Sequence, residues 1–297
     1  MGGGYADAST KKSWEKNTIV NVFSTTKLVA NLAALMLLLR VLLAPEDKVA
    51  QHWPKFAANG KSEVTVGKIL AHTAGLSAWK DNMKLESLYD VEAATDKLAR
   101  QAPLWPPGTA KRYHGITRAL LVGELVRRKT GMSIDKGLEP VEPVVPPPGP
   151  SIQEVLSQQV GYEQDSIVMR TLCNPKPMAE DANTQLWRYS TLGSVNGHTN
   201  ARALVKILSC FSLGGTCVGE GHRLLSPETV KLALTEHATG IDLVTRWSGR
   251  RDGPGLGSVE GKLPEGNVGW GSGWRRRRGG IRSWLLIATG GSQSRML

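Results

Sequence analysis

A serine and a lysine three positions apart, Ser24 and Lys27, stand where a short β-prone stretch gives way to a long apolar run. On a helix that spacing puts both side chains on one face, about one turn apart. A serine at a helix N-terminus lies among free N–H groups and the positive end of the dipole, which favour developing negative charge. A lysine taken far enough out of water to lose its proton can accept the hydroxyl hydrogen. The pair therefore has the parts of an activated serine nucleophile. An S-x-x-K pattern arises often by chance, so its weight depends on what accompanies it.

The elements that must position the pair can be read around it. Thr18 to Phe23 reads as a short strand leading into a helix that opens at Ser24 and stops at Pro45. The apolar stretch Leu28 to Ala44 is short for a membrane span and carries Asn31 and Arg40, so a buried core helix is the better reading. Val64 to Ala71 is expected to be a helix entering His72-Thr73-Ala74-Gly75-Leu76, with Gly75 as its stop. Leu85 to Gln101 has helical periodicity, and Pro103 to Gly108 is a loop. Ile116 to Lys129 reads as an amphipathic helix closed by Thr130-Gly131. Glu139 to Pro150 is proline-dense connector, and Asn200 to Phe211 is helical. Ser226, with Pro227 and Glu228 behind it, has the order of a helix start. Arg246 to Trp274 is glycine-rich with little periodicity.

With 297 residues, 40% of them hydrophobic, the chain can build an ample core. The three cysteines, Cys173, Cys210 and Cys217, fit neither a disulfide framework nor a zinc site; Cys210 and Cys217 could pair, but buried or free thiols are the expected reading. Met1 to Trp14 has no apolar signal region, which leads us to expect a cytoplasmic protein. The net charge of +11 raises the question of a nucleic acid or an anionic membrane. Residues 275 to 297 hold six arginines and no acid, leaving only +5 for the rest, and no basic patch interleaved with aromatics accompanies them. Neither nucleic acid nor membrane is therefore expected as a partner. Two other hydrolase patterns are absent: Gly75-Leu76-Ser77-Ala78-Trp79 lacks the closing glycine of G-x-S-x-G, and there is no H-E-x-x-H.

Four segments stand in order: S-T-T-K at 24–27, H-T-A-G-L at 72–76, P-P-G-T-A-K-R-Y-H at 106–114 and L-V-G-E-L-V-R-R-K-T-G at 121–131. Together with N-G-H-T-N-A-R at 196–202 and R-L-L-S-P-E-T at 223–229, they resemble the β-lactamase-related serine hydrolases. The nearest branch they resemble is the class C β-lactamase-like esterases known as family VIII carboxylesterases. The resemblance implies an α+β fold of the serine β-lactamase/DD-peptidase type, a mainly antiparallel sheet flanked by helices with an inserted helical region. It implies Ser24 as nucleophile and Lys27 as base or proton holder. Tyr113 would be the tyrosine whose phenol relays the proton to the leaving group. The oxyanion hole would combine the Ser24 backbone N–H with a strand carrying Trp270-Gly271-Ser272. His72 and His198 are expected to be structural, and Thr25 and Thr26 to support the helix start. The substrate would be a small ester, or a β-lactam or D-peptide-like amide, with no metal or organic cofactor.

Against this resemblance the chain shows three departures. The family's first helix and two sheet strands would precede Gly3-Gly4-Tyr5-Ala6-Asp7, so residues 1–274 are expected to form a domain incomplete at its N-terminus. About thirty residues of family spacing are missing near 134–140, where the connector starts. After Trp274 the chain turns to Arg275-Arg276-Arg277-Arg278, and synonymous codons for residues 279 to 297, read two bases later, can spell a β-hairpin around an Asp-Gly turn. Residues 275–297 are accordingly expected as an aberrant tail from a shifted reading frame, outside the core. Two alternatives follow: an inactive relic of the same fold, and a binder acting through the basic tail.

Overall fold

The computed structural model describes residues 4–7, 10–39, 43–133, 166–177, 179–219, 221, 223–235, 238, 242, 244, 271–277 and 280–286. Strands β1 (Tyr5–Asp7) and β2 (Lys12–Ser13) pair antiparallel. Strand β3 (Val20–Asn21) pairs antiparallel with β4 (His198–Thr199), setting Val20 opposite Thr199 and Asn21 opposite His198. From β3 the chain passes through a 3-10 turn, Phe23–Thr25, into helix α1 (Thr26–Leu39). Then follow α2 (Val49–His52), α3 (Val66–Leu70), α4 (Val91–Arg100), α5 (Thr117–Thr130), α6 (Ile167–Cys173) and α7 (Gln185–Tyr189). Helices α8 (Ala201–Ser212) and α9 (Pro227–Leu234) precede a final antiparallel pair, β5 (Gly271–Arg277) and β6 (Gly280–Leu286).

Helix α1 lies between two cores. Leu28, Leu32 and Leu35, at i, i+4 and i+7, share one buried cluster with Leu208 and Phe211 of α8 and with Val230 and Ala233 of α9. Ala34 joins the larger cluster, which gathers Trp53, Phe56, Ile69, Leu76, Trp79, Leu98, Leu120 and Trp187. Each buried leucine of α1 contributes about 1.5–3 kcal/mol of transfer free energy toward fixing the helix. No described helix is long and apolar enough to cross a membrane.

Several elements differ from the sequence reading. Helix α5 is buried on nearly every side, not amphipathic, because it touches α1, α2, α3 and α4. Its buried Glu124 is compensated by Arg127 and Arg128, whose Nε atoms each donate across 2.7 Å. The periodic stretch 85–101 divides into a 3-10 turn, Leu85–Leu88, and α4, because Asp90 caps α4 by accepting from the Ala93 N–H. Gly75 does not cap α3, which ends at Leu70. It sits later, at φ 79, where a Cβ would lie 2.5 Å from the Trp105 carbonyl oxygen. The proline-rich connector 139–150 lies outside the described residues. Strand β5 continues past Trp274 to Arg277 opposite Gly280, and β6 touches α8.

Candidate active site

Ser24 lies in the 3-10 turn immediately before α1, and its side chain is open to solvent. The turn is held from three directions. The Val22 N–H donates to the Gly197 carbonyl at 2.8 Å, the Thr25 N–H to the Val22 carbonyl at 3.0 Å, and the Gly197 N–H to Thr26 Oγ1 at 2.9 Å. Position 197 has to be glycine, because a Cβ there would stand 2.8 Å from Thr26 Oγ1 and 3.0 Å from its methyl. Phe23, directly before the serine, adopts φ 42, a left-handed conformation unfavourable for a bulky side chain.

Three functional groups expected from the sequence meet here. Ser24 Oγ and the Tyr113 hydroxyl are 2.6 Å apart, one donating to the other. Lys27 Nζ donates to Ser24 Oγ at 3.2 Å and to the Ser194 carbonyl at 3.0 Å, and lies 5.0 Å from the centre of the Tyr113 ring. Lys27 is 5% exposed. Burial lowers its pKa, partly opposed by Tyr113 and assisted by Arg118. For Tyr113, burial pushes the phenol up, but the Lys27 charge, the hydrogen bonds from Lys27 and Ser24, and Arg118 outweigh it, so the net shift is downward. A serine hydroxyl thus shares a hydrogen bond with a phenol whose pKa is lowered, beside a lysine whose pKa burial also lowers. Either neighbour can take the serine proton.

Two contributors were not read from the sequence. Ser194 supplies the carbonyl that holds Lys27, while its hydroxyl donates to the Ile116 carbonyl at 2.7 Å and accepts from the Ala119 N–H at 3.3 Å. It thereby ties the start of α5 to the lysine; the only signal was its place two residues before the N-G-H segment. Arg118 is 4% exposed, and burial draws its pKa down to about 10, leaving it charged at neutral pH. Arg118 stands inside a stretch that reads as ordinary helix, with no motif to mark it.

The other expected residues fall as follows. Gly271 and Ser272 open β5, opposite Leu286 and Leu285, while Trp270 lies outside the described residues. His198 sits with Nδ1 2.9 Å from the Asn196 carbonyl and Nε2 3.3 Å from the Ala182 carbonyl, away from the serine's hydrogen-bond partners. Among the described residues no cluster of three or more His, Cys, Asp or Glu side chains could hold a metal. Cys173, Cys210 and Cys217 are free thiols, and burial pushes Cys210 up to about 12.

A serine in the turn before a helix, bonded to a tyrosine hydroxyl and to a buried lysine in the helix's first turn, is the arrangement of the S-x-x-K serine enzymes. The chain belongs to the β-lactamase family, whose model, described as Beta-lactamase, matches residues 1–290. It is 27% identical over 252 residues to the esterase/β-lactamase LipL of Mycobacterium tuberculosis, covering 76% of this chain and 58% of LipL. A family VIII carboxylesterase of known structure shares 27% identity at a TM-score of 0.77, over 97% of this chain and 83% of that one. A penicillin-binding protein homolog from Caulobacter crescentus shares 30% identity at a TM-score of 0.71, over 96% and 82%. The chain spans less than two thirds of the length of the curated relatives it matches.

Proposed function

We propose that the protein is a serine hydrolase that works through an acyl-enzyme on a small ester, or on a β-lactam or D-peptide-like amide. The observation that carries this reading is the 2.6 Å contact between Ser24 Oγ and the Tyr113 hydroxyl, with Lys27 Nζ 3.2 Å from the same oxygen. In this reading the Ser24 proton passes to the Tyr113–Lys27 pair as Oγ attacks the carbonyl carbon. The negative oxygen of the tetrahedral intermediate is met by the Ser24 backbone N–H and by the strand that carries Gly271 and Ser272. The same pair returns the proton to the departing alcohol or amine, and water then attacks the acyl-enzyme with the pair again taking a proton. The fold relatives support both substrate classes, since their names join esterase, β-lactamase and penicillin-binding protein.

Turnover of p-nitrophenyl acetate and of a chromogenic cephalosporin by the full chain tests the reading. Hydrolysis of at least one, lost in Ser24→Ala, is expected. Equal turnover by wild type and Ser24→Ala would refute it.

A further inference from the structure

The segment Arg112-Tyr113-His114 is extended loop, yet its phenol must be held to within a fraction of an ångström of Ser24. The N–H groups of the two residues on either side of Tyr113 both end on one residue. The Arg112 N–H donates to the His72 carbonyl at 3.1 Å, and the His114 N–H donates to His72 Nδ1 at 3.0 Å. The His72 ring also lies against the phenol ring, their centres 5.3 Å apart and their planes 35° apart. His72 reaches both bonds from φ 63, in the turn after α3, a conformation that side chains other than those of Gly, Asn and Asp seldom adopt.

The turn is itself anchored. The Leu76 N–H donates to His114 Nε2 at 3.2 Å, and Thr117 Oγ1 donates to the Leu76 carbonyl at 2.6 Å. Because Nδ1 of His72 accepts, its ring is neutral, with the proton on Nε2. The bond therefore requires an unprotonated acceptor at that one position on the side chain.

We infer that His72 is the positioning residue of Tyr113: its carbonyl and Nδ1 hold the N–H groups of Arg112 and His114, the residues on either side, and so set where the phenol stands relative to Ser24. This rests on the serine-hydrolase reading and assigns His72 no proton transfer.

Asparagine and glutamine separate this role from general packing. The Asn oxygen takes the place of Nδ1 and tolerates the left-handed backbone, whereas the Gln oxygen takes the place of Nε2. With p-nitrophenyl acetate as probe, His72→Gln should lower kcat by about 30- to 100-fold with KM within about threefold. His72→Asn should stay within about fivefold of wild type. In a Tyr113→Phe background, where no phenol remains to position, exchanging Asn for Gln at position 72 should change nothing further. Equal kcat for the Asn and Gln variants, or the same Gln loss with and without the Tyr113 hydroxyl, would overturn the inference. A wild type that hydrolyses no ester and takes no fluorophosphonate at Ser24 would instead overturn the underlying reading, and the inference with it.

Discussion

Lys27 Nζ donates to the backbone carbonyl of Ser194, 3.0 Å away and 167 positions along the chain. The same Nζ lies 3.2 Å from Ser24 Oγ, and Ser24 stays exposed to solvent. Ser194 also serves helix α5: Ile116, the residue before that helix, makes no side-chain cap, and the Ser194 hydroxyl accepts the Ala119 N–H instead. Ser194→Ala strands that buried N–H and the Ile116 carbonyl, and should cost about 1–3 kcal/mol of stability. Urea unfolding measures the loss. A change below about 0.5 kcal/mol would show that the hydroxyl is replaceable.

Arg118 bears on the pH dependence. A fixed positive charge favours loss of a proton from its neighbours, and Arg118 lowers the pKa of both Lys27 and Tyr113. It therefore favours the basic form of the pair whichever atom gives up the proton. Removing the charge in Arg118→Met should raise the pKa of the pair and move the acid limb of the kcat/KM profile toward higher pH. Arg118→Lys should leave the limb near its wild-type position. An unmoved limb in Arg118→Met would contradict this role.

His114 should make the fold acid-sensitive. It is fully buried, accepts from the Leu76 N–H at Nε2, and so donates from Nδ1 to the Arg112 carbonyl at 2.7 Å. Burial drives its pKa down to about 3, from 6.5 when unfolded. Below pH 6.5 the unfolded chain binds a proton that the folded chain refuses, so stability falls as pH falls through the window from 6.5 to about 3. The slope is about 1.4 kcal/mol per pH unit at full effect. His72, also held well below its ordinary range by burial, contributes with the same sign. Urea midpoints at pH 7 and pH 5 should show a smaller acid loss in His114→Gln than in wild type; parallel losses would contradict this assignment.

Helix α1, which carries Lys27 and follows Ser24 directly, depends on packing remote from the chemistry. Leu35 is completely buried between α1 and helices α8 and α9. Leu35→Ala should cost about 2–5 kcal/mol, read as a lower thermal midpoint. A cost under about 1 kcal/mol would show that this cluster tolerates a cavity.

How far the sequence reading reached follows from the range of the interactions involved. Caps and stops are local and were legible. Asn200 accepts the Ala203 N–H, Ser226 accepts the Thr229 N–H, and Gly131 closes α5 at φ 73. Ser24 and Lys27 were legible for the same reason, since one helical turn sets their spacing. Tyr113 came from resemblance, because nothing near a loop tyrosine in sequence shows that it meets a serine 89 residues away. Ser194 and Arg118 escaped entirely, because their roles depend on what the fold packs against them. The burial of α5 was misread for that reason too: its polar residues suggested a solvent face, but Arg118 is buried and Glu124 is sealed by two arginines. Gly75 resembled a helix stop because the close carbonyl of Trp105 that demands a glycine lies 30 residues on in sequence.

The central claim is that Ser24 is a nucleophile activated by Lys27 and Tyr113. Its most direct test is intact-mass and peptide mapping of the full chain after exposure to a fluorophosphonate. The account expects one adduct, on Ser24, absent in Ser24→Ala and formed at least about 100-fold more slowly in Lys27→Met. A folded wild type that takes no label, or takes it on another residue, would contradict it.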